Sequence, residues 1–118
     1  MSTGATVISR HRYDAYLDQW SREKQRLNAF PTKLAPRLVA LHYIWRGFDH
    51  DHEYSEDEVN QKITERNLFR LDHVHLRRYL VDHLMLERSR DGAVYKVSWG
   101  YLSLAQWDSE IPGVAARE

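Results

Sequence analysis

Two adjacent arginines, Arg77 and Arg78, stand in the run His73-Val74-His75-Leu76-Arg77-Arg78-Tyr79-Leu80-Val81-Asp82-His83. A guanidinium presents a planar fork of donors, which suits a phosphate or the acceptor edge of guanine. His75 lies one helical turn before Arg78 and shares its face. Further along, Arg88, Arg90 and Lys96 flank Asp91-Gly92, where they would meet a phosphate backbone beside such a helix. The six candidate nucleic-acid contacts are therefore His75, Arg77, Arg78, Arg88, Arg90 and Lys96. The competing role is solvated: arginine stems cover neighbouring apolar surface while their heads stay in water, and charges on strand edges deter aggregation.

Other chemistries find less support. His50 and His52 alternate with Asp49 and Asp51, and His73-Val74-His75 repeats the H-x-H spacing. A zinc site wants about four convergent ligands, often thiolates, and the chain has no cysteine. No metal and no cofactor is expected. His42 and His83 fall among apolar residues and read as packed histidines that each hold a hydrogen bond. Phosphate-binding glycine loops, Gly-x-Ser-x-Gly elbows and His-Glu-x-x-His pairs are missing, and the acidic run after residue 48 reads better as a capped helix start than as catalytic carboxylates. The chain is not expected to be an enzyme.

With 118 residues, 42% hydrophobic and 29% charged, the chain has the length and composition of one ordinary folded domain. No apolar run approaches the roughly 20 residues that span a bilayer, and there is no apolar leader, so a cytoplasmic protein without a membrane partner is expected. Net charge is zero, from 17 basic and 17 acidic residues, which is unpromising for binding that relies on phosphate neutralisation. The distribution is uneven. Residues 1–47 hold eight Lys/Arg against three Asp/Glu, residues 48–60 none against six, residues 61–98 eight against five, and residues 99–118 one against three. A basic face on a neutral molecule remains open.

The elements that position these side chains follow from periodicity. Met1 to about Ser9 reads as frayed. Tyr13, Leu17, Trp20 and Leu27 share one face of a helix over Arg10 to Leu27, with Tyr16 beside it and Lys24 interrupting, and that face needs a cover: the domain itself, a protein partner or a second copy in a homodimer. Asn28-Ala29-Phe30-Pro31 ends it. Pro36 suits a first helical turn, after which Leu38, Leu41, Ile44, Trp45 and Phe48 form a core stripe up to Gly47. Asp49 to His52 is a loop leading into Glu53-Tyr54, a very short strand. Ser55-Glu56-Asp57-Glu58 is a capping box for a helix that turns Val59 and Ile63 inward and ends near Arg66-Asn67. Asp72 caps the next helix, with Leu76, Tyr79, Leu80, His83 and Leu84 inward. Leu86 to Arg90 and Ala93 to Val97 are strands joined by a tight turn at Asp91-Gly92, where both residues would take positive φ. The final residues, aromatic from Trp99 to Trp107, pack on the body until Pro112-Gly113 releases a tail.

Three helices followed by a hairpin is the order of a winged helix-turn-helix. The expected fold is mainly α with a small β-hairpin: an N-terminal amphipathic helix extension over 1–29, a winged-helix domain over 30–98, and an aromatic C-terminal extension and tail over 99–118. In the third helix of that domain, Val74, Val81 and Met85 lie on the same side as Arg78, a mixed face that suits protein partners unless deeper packing places the valines inside.

Phe30-Pro31-Thr32-Lys33, Arg37-Leu38-Val39, Tyr54-Ser55-Glu56-Asp57-Glu58-Val59-Asn60, Leu76-Arg77-Arg78-Tyr79-Leu80-Val81-Asp82-His83 and Leu86-Glu87-Arg88 resemble the bacterial domain of unknown function 2087, over about residues 28 to 97. Members of that family occur alone and attached to transcriptional regulators, so the resemblance implies a gene-regulatory setting. The chain departs from the family at Leu84, where glycine usually follows the histidine, and this counts against a left-handed helix cap there. The leading expectation is a transcriptional regulator that binds double-stranded DNA through the third helix and the hairpin. The alternative is a protein-interaction or dimerisation module on the same scaffold.

Overall fold

A computed structural model describes residues 6–22 and 29–114. Far from fraying, Val7–Ile8 form strand β1, with Ile8 buried. The Ser9 hydroxyl accepts from the Arg12 amide and opens helix α1, Arg10–Ser21. Tyr13 and Trp20 are buried while Tyr16 and Leu17 are half-buried, and α1 packs on the chain's own α2. Lys24, Leu27 and the stop at Asn28 lie outside the described residues.

Helix α2, Leu34–Trp45, buries Leu38, Leu41, Ile44 and Trp45 as the stripe predicts, and also Ala35, Val39, Ala40 and His42. It is covered on more than one side because α1, α3 and α4 all pack against it. Strand β2, Glu53–Tyr54, leads into α3, Glu56–Arg66. The capping box is formed: the Glu58 amide donates to the Ser55 hydroxyl at 3.2 Å, and the Ser55 amide to the Glu58 carboxylate at 2.8 Å. Val59 and Ile63 are fully buried. Asn67 then builds the turn, accepting from the Phe69 amide and donating to the Leu71 carbonyl.

Helix α4, His73–Asp82, starts at Asp72, whose carboxylate accepts from the His75 amide at 3.0 Å. Leu76 and Leu80 are buried and Tyr79 and His83 half-buried, but Leu84 lies past the helix end and is 43% exposed. Leu84 nevertheless takes φ 61. The left-handed cap is present without glycine: the Met85 amide reaches the Leu80 carbonyl and the Leu84 amide the Val81 carbonyl, the bonding pattern of a Schellman cap. Met85 and Leu80 are both fully buried, which supplies the apolar contact that holds this cap closed.

Strands β3, Leu86–Arg88, and β4, Tyr95–Val97, are shorter than the sequence suggests. Only Gly92 has positive φ (77), not Asp91, so the turn is wider than a two-residue one. Ser89 and Asp91 explain the width, because their side chains satisfy the Val94 and Ala93 amides. Three antiparallel strands lie in the order β2-β4-β3. Register puts Tyr54, Tyr95 and Arg88 on one face and Glu53, Lys96 and Glu87 on the other.

The C-terminal segment is knitted in. A 3-10 turn over Gly100–Ser103 is anchored by the Tyr101 amide on the Leu84 carbonyl, and β5, Gln106–Trp107, pairs in parallel with β1. Arg10 donates its amide to the Asp108 carboxylate and its guanidinium to the Glu110 carbonyl. Pro112-Gly113 releases no tail within the described residues, since Ile111 and Val114 on either side are buried.

Candidate functional site

Asn67 shapes the turn between α3 and α4, Asp72 caps α4, and α4 packs against both α3 and β3. Between helix and hairpin is a cleft of about 220 Å³, in which Val74, Arg77, Arg78, Val81 and Asp82 face Arg88 and Tyr95. Three of the six predicted site residues meet there, and they differ in freedom.

Arg77 is held. Its guanidinium donates to Asn60 Oδ1 and lies 3.8 Å from Glu56, and only 17% of its side chain is exposed. It ties α4 to α3. Arg78 is exposed and has no hydrogen bond or ion pair among the described residues, at the point of α4 farthest from buried Leu76 and Leu80. Arg88 is also exposed and its guanidinium lies over the turn, where a Cβ on Gly92 would come within 2.6 Å of it. Arg90 stands exposed in the turn.

His75 and Lys96 are placed differently from expectation. The His75 ring bonds back to Asp72 at 2.9 Å, and the bonds from His75 hold the Asp72 carboxyl below its ordinary range. Lys96 lies on the face of the sheet away from Tyr95, 3.5 Å from Glu53 and opposite Glu87. The basic residues therefore form no continuous surface that includes Lys96, because strand alternation sends Arg88 and Lys96 to opposite sides. Val74 is 49% exposed and Val81 half-buried. Deeper packing does not hide Val74; only Met85, beyond the helix, is fully buried.

Asn60 and Glu56 were not legible as partners of Arg77. The signal was their spacing of four on α3, with Asn60 beside inward-facing Val59. Asp82 and Tyr95 are further lining residues that sequence reasoning passed over.

The remaining histidines are structural or solvent-facing. His42 Nδ1 and the Tyr13 hydroxyl share a hydrogen bond of 2.7 Å. Burial pushes the pKa of His42 down to about 3 and that of Tyr13 up to about 12, so the pair is neutral. His83 bonds through Nδ1 to the Tyr79 carbonyl at 2.8 Å. His52 lies 3.8 Å from Glu58. Among the described residues no three His, Asp or Glu side chains converge as a metal site, and no helix is long and apolar enough to cross a membrane.

The architecture is thus that of a mainly helical domain with two small sheets and an arginine-lined cleft between its last helix and a hairpin. The chain belongs to the family of uncharacterised proteins conserved in bacteria, domain of unknown function 2087, whose model matches residues 26–97. That span takes in α2 to β4 and leaves α1 and the β5 segment outside. No curated protein and no solved structure matches the chain.

Proposed function

We propose that this chain is a DNA-binding domain of the winged helix-turn-helix type that acts in bacterial gene regulation, and that it is a binding module and not an enzyme. The helix-strand-helix-helix-strand-strand order and the central place of β4 support the winged-helix reading, since they set α4 beside a hairpin with its outer face open. The observation that carries the functional reading is the pair Arg78 and Arg88: two exposed guanidiniums, unpaired among the described residues, on the two walls of one cleft. An unpaired arginine pays no partner to leave when it meets a phosphate or a guanine. Arg90 extends the basic edge toward the backbone, Arg77 stiffens the helix through its bond to α3, and the medium for all of this is the cytoplasm.

The test is binding to random-sequence duplex DNA over a salt series. The parent chain binds at low salt with affinity that falls as salt rises, and Arg78→Ala and Arg88→Ala each weaken it, with the salt slope dropping by about 1 for each lost phosphate contact. Absence of binding at low salt defeats the reading. The protein-interaction alternative would then lead, on the strength of exposed Val74 beside half-buried Val81; the apolar stripe of α1 does not support it, being covered by the chain's own α2.

A further inference from the structure

We infer that the outer face of α4 reads a thymine and a guanine about two base pairs apart, through Val74 and Arg78. This rests on the DNA-binding reading above and adds to it which bases are read. Val74 sits in the first turn of α4 with 49% of its surface exposed, which leaves a branched apolar side chain open to an apolar partner. Arg78 follows one turn later on the same face, and both line the cleft.

Chemistry assigns their partners. The 5-methyl of thymine is the apolar group that a base presents in the major groove, and the N7 and O6 pair of guanine is the acceptor edge that fits a guanidinium. Four residues along a helix rise about 6 Å, which is about two base steps of roughly 3.4 Å. His75 is bonded to Asp72, and Arg77 to Asn60 and Glu56. Asp82, one turn beyond Arg78, repels phosphate, so the part of α4 from Val74 to Arg78 is what enters the groove.

Selection from a random-sequence duplex library with the full chain should return sites that contain a thymine and a guanine at that separation. Replacing that thymine by uracil removes only the methyl and should weaken the parent about fourfold, the worth of one apolar carbon, and should weaken Val74→Ala by less. Replacing the guanine by 7-deazaguanine should weaken the parent by about fivefold or more and leave Arg78→Ala unchanged. Both variants change exposed positions to a good helix former, and matching thermal melts confirm that they fold. Salt-dependent binding with no base preference, or a parent insensitive to uracil, overturns the base assignment and leaves the DNA-binding reading standing. A parent that binds no DNA at low salt overturns both.

Discussion

Leu84 holds a backbone conformation that a residue with a Cβ adopts only at a cost of roughly 1–2 kcal/mol. What sustains it is two capping hydrogen bonds, the buried Met85 and the bond that the Leu84 carbonyl accepts from the Tyr101 amide. The neighbour that yields is Gly100, where a Cβ would come within 2.9 Å of the Leu84 Cβ. Gly100→Ala should therefore destabilise the fold by about 1–3 kcal/mol through overpacking. Leu84→Gly should stabilise it slightly, and should also rescue Gly100→Ala, which denaturant titration of the single and double variants will measure. Additive effects in that cycle would mean the two positions do not interlock. A second residue-scale consequence concerns His42. Its pKa of about 3 when folded lies below its ordinary 6.5, so the unfolded chain takes up the proton first. The stabilisation is complete above pH 6.5 and declines as pH falls toward 3. Urea titration should show a loss of about 2 kcal/mol between roughly pH 7 and pH 5. The carboxyls of Glu58, Asp72, Asp91 and Asp108 are held low by hydrogen bonds and enter only in more acidic solution. Replacing both partners, Tyr13→Phe with His42→Leu, should flatten the slope, and an equally steep variant would place its source elsewhere.

Helix α4 is oriented by three attachments: the Asp72 cap, the Schellman cap at Leu84, and the Arg77 bridge to α3. The two arginines that look equivalent in sequence thus separate by role. Arg77→Ala leaves Asn60 without its charged donor and should cost about 1–2 kcal/mol of stability. Arg78→Ala should leave the melting temperature unchanged and act only on binding. Equal thermal effects of the two substitutions would contradict this division. The hairpin shows the same dependence on surroundings, since Arg88 and Lys96 carry the same charge on paired strands but face opposite ways. Lys96 is balanced there by Glu53 and Glu87, whereas Arg88 is left to the cleft.

The whole molecule is larger than the matched family span, and the additions hold each other. β1 pairs with β5, Arg10 with Asp108 and Glu110, and Tyr13 reaches His42 across the α1–α2 contact, while Trp20 meets Phe69 edge-on. Removing residues 1–22 strips Tyr13 and Trp20 from the core, each worth roughly 3–5 kcal/mol when truncated to alanine, against a total near 5–15 kcal/mol for a typical domain. The truncated chain should lose its cooperative thermal transition. A truncated chain that melts like the parent would show that the rest of the fold is stable without β1 and α1.

Local patterns determined helices α2 to α4 and the N-terminal caps of α3 and α4. The Ser55 box and the Asp72 cap are short-range hydrogen-bonding solutions that the sequence states outright, and the stripes of α2 and α3 follow from a period of 3.6. The resemblance in the blocks from Phe30 to Arg88 likewise gave the family. Tertiary structure alone decided the rest. Two-residue strands such as β1 and β5 carry no period, so their pairing across the whole chain depends on what their neighbours leave open. Leu84 accepts a left-handed conformation because buried Met85 and a glycine at position 100 accommodate it. Arg77 is tied down while Arg78 is free because α3 passes beside one and not the other, and no spacing along a single helix records the position of a second.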